Sequence, residues 1–169
     1  MALPEEQRRA PLPLHPLPAF LADTGQTRLL YIAKAWLLVF IPSIALSIGV
    51  SLLVHKPAGP EFGTSGLTLF LLLVVFAPVI ETLLMIPPLL LIDRFAGPRA
   101  AIVGSAIFWG VLHSLAAPLW GLIVWWPFLI LSAILLVWRR ERGLWTAMLM
   151  VTAVHALQNA VVGSTLFLG

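Results

Sequence analysis

Four polar side chains inside long apolar stretches of this sequence could carry out acid–base chemistry. They are Glu81, His113, His155 and Asn159. A glutamate and a histidine can take a proton from water as it attacks a carbonyl group, and a second histidine with an amide beside it can donate hydrogen bonds to the oxyanion that forms. His155 and Asn159 are four residues apart, so they share one face of a helix. The residue types therefore predict a hydrolytic site.

The same residue types would also suit a metal or a proton path. One carboxylate and two imidazoles with an open position form a catalytic zinc set, so Glu81, His113 and His155 are the candidate ligands. The sequence lacks an HExxH motif, and zinc is therefore the alternative to a mechanism that requires no cofactor. Axial haem ligation by the two histidines, or a proton or ion path, is a third interpretation without a specific motif.

The elements that must position these residues are membrane helices. Of 169 residues, 60% are hydrophobic and 10% are charged, against about 45–50% and about 25% in soluble domains. The apolar runs have the length, about 20 residues, that crosses a hydrocarbon layer of about 30 Å. The predicted fold class is all-α, a polytopic transmembrane helix bundle of about five spans. These spans are Leu29 to Val54, Leu67 to Ile92, Ala100 to Ala117, Leu119 to Trp138 and Leu144 to Leu168.

The polar residues have similar depths in their spans. Counted inward from the nearest charged residue on the cytoplasmic side, Glu81, His113 and His155 lie 12, 14 and 13 residues deep, which is about 18–21 Å along each helix. A charge at the centre of a span costs about 2.5–3.5 kcal/mol, and such residues usually face a bundle interior or a water-filled cavity. Each residue alone could be an interhelical hydrogen bonder, Asn159 above all. Their matched depth favours a shared site.

The cationic residues predict the orientation. Five crossings place nine of the ten Lys and Arg residues on one side and only Lys56 on the other. The positive-inside rule then predicts a multi-pass protein of the cell membrane with a cytoplasmic N-terminus and an external C-terminus. The nine residues are Arg8, Arg9, Arg28, Lys34, Arg94, Arg99, Arg139, Arg140 and Arg142.

Composition divides the chain and excludes some functions. Residues 1–27 are predicted to be a Pro-rich cytosolic tail and residues 28–169 one transmembrane helical domain. The uncharged segment from His113 to Trp120 is predicted to turn at the membrane surface, because an unbroken helix from Ala100 to Trp138 would measure about 58 Å. The absence of Cys excludes thiolate chemistry, and no basic helix favours nucleic acid. The predicted partners are membrane lipid and a membrane-associated protein or peptide.

Two segments resemble motifs of the CAAX-protease and bacteriocin-processing (CPBP, or Abi) family of intramembrane proteases. The last span, GLWTAMLMVTAVHALQNAVVG, is similar to the family's last motif, in which Leu-Trp and a run of small residues precede HxxxN, here His155 and Asn159. The segment FWGVLHSL resembles the family's aromatic-x-x-x-His motif, with Trp109 four residues before His113. The order and spacing agree, and the likeness covers about residues 67–168.

The first motif of that family, normally EExxxR, is matched by APVIETLLMI only through Glu81. Thr82 stands at the position of the second Glu and Ile86 at that of the Arg. A catalytically degenerate membrane scaffold, or an immunity-like protein that binds a partner, is therefore the alternative to an active enzyme.

The resemblance implies an intramembrane endopeptidase that hydrolyses peptide bonds of a membrane-associated protein or peptide. It implies that Glu81 and His113 activate the water, and that His155 and Asn159 form the oxyanion hole. The family has also been described as metalloproteases, so the resemblance leaves the zinc alternative open.

Overall fold

The computed structural model describes residue 12, residues 14–54 and residues 59–168, and these contain helices and no strand. A short 3-10 helix, Ala19–Ala22, precedes the long helices. The α-helices are α1 (Arg28–Leu53), the short α2 (Gly66–Leu71), α3 (Ala77–Ala116), α4 (Gly121–Arg142) and α5 (Leu144–Leu168). A π-helical segment, Leu72–Phe76, joins α2 to α3 without a break.

Helix α3 is a hairpin of two antiparallel legs, α3a (77–96) and α3b (98–116). Gly97 has φ 83° and ψ 172°, a conformation that favours glycine, and Pro98 begins the second leg. Ser132 Oγ of α4 lies 3.5 Å from Met85 Sδ on one leg and 2.9 Å from Ser105 Oγ on the other. In a straight helix Met85 and Ser105 would be about 30 Å apart, so the chain must reverse at Gly97.

The predicted all-α transmembrane bundle is confirmed. Among the described residues, four helical runs are long and apolar enough to cross a membrane, and the second contains the hairpin. Counting its two legs separately, the chain passes through the bundle five times, as predicted. The predicted uncharged turn lies between the end of α3 at Ala116 and the start of α4 at Gly121. The four runs are Arg28–Leu53, Gly66–Ala116, Gly121–Arg142 and Leu144–Thr165.

Helix α4 is the central helix of the bundle. In its most apolar stretch of 18 residues, 67% is buried, against 17%, 22% and 33% in the corresponding stretches of the other three runs. Helices α1, α3 and α5 all pack against it. Every residue from Ile130 to Trp138 is buried. The outer helices instead expose many large apolar side chains, the arrangement expected where lipid is the solvent.

The arginines near the C-terminal ends of α3a and α4 lie at one end of the bundle, here called the basic end. Asp93 and Arg140 form an ion pair there, in which Nη2 of Arg140 donates to both carboxylate oxygens, at 2.8 and 3.0 Å. The N-terminal segment packs on the same end, since the hydroxyl of Tyr31 donates to the Leu21 carbonyl at 3.0 Å and the buried Leu21 joins the core. The predicted tail is thus attached to the bundle from residue 14 onward. Residues 1–11 and the predicted opposite-side cation Lys56 lie outside the described residues.

Helix α1 contains a proline that leaves one carbonyl without its helical hydrogen bond, and a side chain of α4 supplies the missing donor. Pro42 has no N–H, so the carbonyl of Leu38, four residues earlier, loses its helical partner. The indole Nε1–H of Trp126 donates to this carbonyl at 2.8 Å. A side chain from a neighbouring helix thereby makes proline tolerable inside the span.

We expect Trp126→Phe to lower the free energy of unfolding by about 1–2 kcal/mol, because the Leu38 carbonyl is then unpaired in an apolar environment. Unfolding in mixed micelles followed by circular dichroism measures the change. Pro42→Ala in the same background restores a backbone donor and should recover most of the loss. An equal loss with and without Pro42→Ala would contradict the assignment of this hydrogen bond.

Candidate functional site

The π-helical segment stands one turn before Glu81. The N–H of Ala77 donates to the carbonyl of Leu72, five residues earlier instead of the usual four. In this pattern the next donor would come from residue 78, but Pro78 has none. The carbonyl of Leu73 is therefore left without a backbone partner. Such π-helical turns inside α-helices are frequent at functional sites.

Asn159 of α5 supplies the missing donor. Its Nδ2 donates to the Leu73 carbonyl at 2.9 Å. The amide for which the sequence predicts an oxyanion role is thus bonded to backbone. An amide nitrogen carries two hydrogens, so one of them is free for another acceptor.

Glu81 and His155 are brought together inside the bundle. Glu81 Oε2 lies 3.6 Å from His155 Nε2, a distance suited to an ion pair or to a proton shared after a small side-chain rotation. The His155 side chain is 8% exposed and that of Glu81 is 22% exposed. The imidazole is therefore enclosed, while the carboxylate is accessible from outside the packed core.

His113 lies at the same level as Glu81 on the other leg of the hairpin. Both residues are 16 positions from Gly97, or about 24 Å along antiparallel legs. The Nδ1 of His113 is 2.8 Å from the carbonyl oxygen of Trp109. Because a carbonyl only accepts, Nδ1 must carry a hydrogen, and in the neutral ring Nε2 has a free lone pair.

An aromatic ring from the central helix links the two histidines. The Phe128 ring centroid is 5.3 Å from that of His113 and 5.6 Å from that of His155. Trp109 stacks on Phe128 with a centroid distance of 4.6 Å and an interplanar angle of 5°. Two predicted residues, His113 and His155, therefore contact the same aromatic ring, and the third, Glu81, is paired with His155.

The predicted zinc ligands do not converge as a set of three. Among the residues that the structure describes, no three His, Cys, Asp or Glu side chains lie close enough together to hold a metal ion. Glu81 and His155 are adjacent, but His113 is not grouped with them. A catalytic zinc ion usually takes three protein ligands, and here Glu81 and His155 are the two that are paired.

Several polar residues near the site were missed by the sequence analysis. Thr152 Oγ1 donates to Thr82 Oγ1 at 3.3 Å, so the residue at the position of the family's second Glu joins α3a to α5. Within the described part of the chain, the buried Gln158 Oε1 and Trp109 Nε1 have no hydrogen-bond partner. Thr152 and Gln158 are three residues before and after His155. That helical spacing was the signal that could have identified them.

Comparison of the chain with protein-family models, with curated proteins and with solved structures finds no match. The function must therefore be inferred from the chemistry of the residues described above.

Proposed function

We propose that this chain is an intramembrane endopeptidase that hydrolyses a peptide bond of a membrane-associated protein or peptide. One observation carries the proposal: the Glu81 carboxylate lies 3.6 Å from the His155 imidazole in the middle of an apolar helix bundle. Ionisable groups inside a membrane are costly to bury, and by default they mark functional sites. The likeness of the segments that contain Glu81, His113 and His155 to CPBP motifs points to peptide hydrolysis.

Glu81 is the general base of the proposed reaction. As the water oxygen attacks the carbonyl carbon of the substrate, its proton passes to the Glu81 carboxylate. The C–N bond of the tetrahedral intermediate then breaks, and the proton is delivered to the leaving amine. In this proposal, water and substrate reach the carboxylate on the side where the Glu81 side chain is exposed.

The two histidines assist the base in different ways. His155 faces the carboxylate and orients it, and its Nε2 can share the proton that Glu81 receives. His113 presents Nε2 as a further acceptor, because its Nδ1 is bonded to Trp109. This scheme requires no cofactor, and zinc held by Glu81 and histidine is the alternative.

The proposed protein lies in the cell membrane with its basic end in the cytoplasm, according to the positive-inside rule. The N-terminus is then cytoplasmic and the C-terminus external. His155 is 12 residues from Gly143 at the basic end, so the reaction would take place about 18 Å into the bundle. The substrate must therefore enter the membrane or already lie within it.

A catalytically degenerate scaffold is the second candidate function. The hydrogen bonds of Asn159 to Leu73 and of Thr152 to Thr82 favour it, because both join helices in the manner of structural polar contacts. In such a protein the same bundle would bind a partner without cleaving it.

The test uses the purified chain in liposomes together with a pool of membrane-anchored reporter peptides, and cleavage is read by mass spectrometry. We expect cleavage at defined bonds and a reduction of about 10²-fold in both His155→Ala and His113→Ala. His15→Ala, an exposed histidine of the N-terminal segment, is the matched control and should cleave at the original rate.

Two results would reject the proposed mechanism in different ways. Absence of cleavage, or cleavage by both site variants at the rate of the original chain, would favour the scaffold. Loss of cleavage with a strong chelator, restored by added zinc, would replace the glutamate mechanism with the metal one.

A further inference from the structure

We infer that Asn159 is a positioning residue, which holds the π-helical segment Leu72–Phe76 in place and thereby directs Glu81 toward His155. The role in catalysis rests on the proposed function, whereas the structural role does not depend on it. This assignment differs from that of an oxyanion donor, which the resemblance implies for Asn159.

Asn159 satisfies a backbone carbonyl of the π-helical segment. The π pattern pairs Ala77 N–H with Leu72 O, and Pro78 then deprives Leu73 O of a donor. A bare carbonyl inside a membrane bundle is unfavourable, so the segment needs a donor from elsewhere. Asn159 Nδ2, at 2.9 Å, is the donor that the structure provides.

The π-helical turn sets the direction in which the side chain of Glu81 points. A π-helical turn holds one residue more than an α-helical turn, so it rotates all following side chains by about 100° relative to the preceding ones. Glu81 and Thr82 follow this turn, and both contact α5, at His155 and Thr152. Without the extra residue of the π-helical turn, α5 could not make these contacts and the contacts before the turn at the same time.

Helix α5 also contacts residues before and within the π-helical turn. A Cβ atom on Gly163 would lie 3.2 Å from Val74 Cγ2 and 3.3 Å from Phe70 Cδ2, so α2 and the π-helical segment lie close against α5. Gly163 is one helical turn beyond Asn159. Helix α5 thus contacts the second span on both sides of the π-helical turn, and Asn159 bonds to the turn between the two sets of contacts.

The test exploits the absence of cysteine from the chain, because an introduced pair has no native thiol to compete with it. Thr82→Cys with Thr152→Cys reports contact after the turn, since the two hydroxyls are 3.3 Å apart. Ser105→Cys with Ser132→Cys is the matched control between α3b and α4, where the hydroxyls are 2.9 Å apart. The rate of disulfide formation is measured in membranes for each pair.

We expect Asn159→Leu to slow disulfide formation by the first pair about five- to thirtyfold. This is the effect expected when the free energy of one or two hydrogen bonds is lost. The control pair should form its disulfide at an unchanged rate, which verifies that the bundle is folded. Adding Pro78→Ala restores a backbone donor for Leu73 O and should recover the rate. Equal rates with and without Asn159 would overturn the inference.

Hydrolysis by the same Asn159 variants, without the introduced cysteines, distinguishes the two roles of the asparagine. If it positions Glu81, then Pro78→Ala recovers hydrolysis in the Asn159→Leu background. If it is the oxyanion donor, the loss persists after Pro78→Ala, and the positioning role in catalysis is rejected. A chain with no hydrolysis in any variant would reject the proposed function, while the disulfide rates would still decide whether Asn159 holds the turn.

Discussion

Glu81→Gln is expected to reduce peptide hydrolysis about 10²- to 10⁴-fold, the usual contribution of a general base, and to leave the bundle folded. Glutamine has the shape of glutamate and can still bond to His155, but its amide cannot accept the proton of the attacking water. Stability should be unchanged or slightly higher, because a partly buried charge is removed. The rate is measured with the membrane-anchored reporter peptides and the fold by circular dichroism.

The matched control for this substitution is Glu61→Gln. Glu61 is exposed in the loop before α2, so the same chemical change there should leave hydrolysis unaffected. A Glu81→Gln protein that cleaves at the original rate would remove the carboxylate from the mechanism. The intramembrane peptidase as proposed here would then be untenable.

Gly121→Ala is expected to lower the free energy of unfolding by about 3 kcal/mol, the upper range for overpacking. Helix α4 begins at Gly121, directly after the turn that follows α3b. A Cβ atom there would overlap the carbonyl oxygen of Gly110 and the hydroxyl oxygen of Ser114. The carbonyl belongs to the backbone of a packed helix, so relief requires α3b and α4 to separate.

The control is Gly49→Ala in α1. A Cβ atom on Gly49 meets nothing within 4 Å, and alanine is favoured over glycine inside a helix by up to about 1 kcal/mol. This variant should therefore be as stable as the original chain or more so. Unfolding in mixed micelles measures both variants, and equal stabilities would show that α3b and α4 do not need the close approach.

The spans could be predicted because a membrane demands about 20 apolar residues per crossing. The reversal near Gly97 and the turn before Gly121 were predictable for the same reason, since Pro and Gly interrupt the apolar runs there. The central position of α4 was not predictable. All spans are apolar on every side, so hydropathy does not distinguish a helix packed against protein from one that faces lipid.

The candidate site was predictable in depth but not in direction. Counting residues places Glu81, His113 and His155 at one level, and the legs of the hairpin keep Glu81 and His113 level about Gly97. The pairing of Glu81 with His155 depends on rotation about the helix axis, which the π-helical turn changes by about 100°. Nothing in the order of apolar residues signals that turn, although Pro78 and Asn159 are the residues that accompany it.

The N-terminal segment was predicted to be a Pro-rich tail, because prolines usually indicate extended linkers. Three apolar residues, Leu14, Leu17 and Leu21, lie between or after these prolines. In the bundle Leu14 and Leu21 are buried and Leu17 packs against the core. Apolar side chains between the prolines therefore decide the packing of the described part of this segment, and composition alone does not indicate it.

The contact of this segment with the basic end also has a consequence for biogenesis. Arg142 Nη2 donates to the Thr24 carbonyl at 3.2 Å, and 118 residues separate the two in the chain. At about 5–20 residues per second, a ribosome needs roughly 6–24 s to synthesise the second after the first. For that interval the segment around Leu21 can contact α1 through Tyr31 but lacks its partner residues on α4. Its remaining apolar side chains therefore depend on the insertion machinery or on chaperones until the fourth crossing is made.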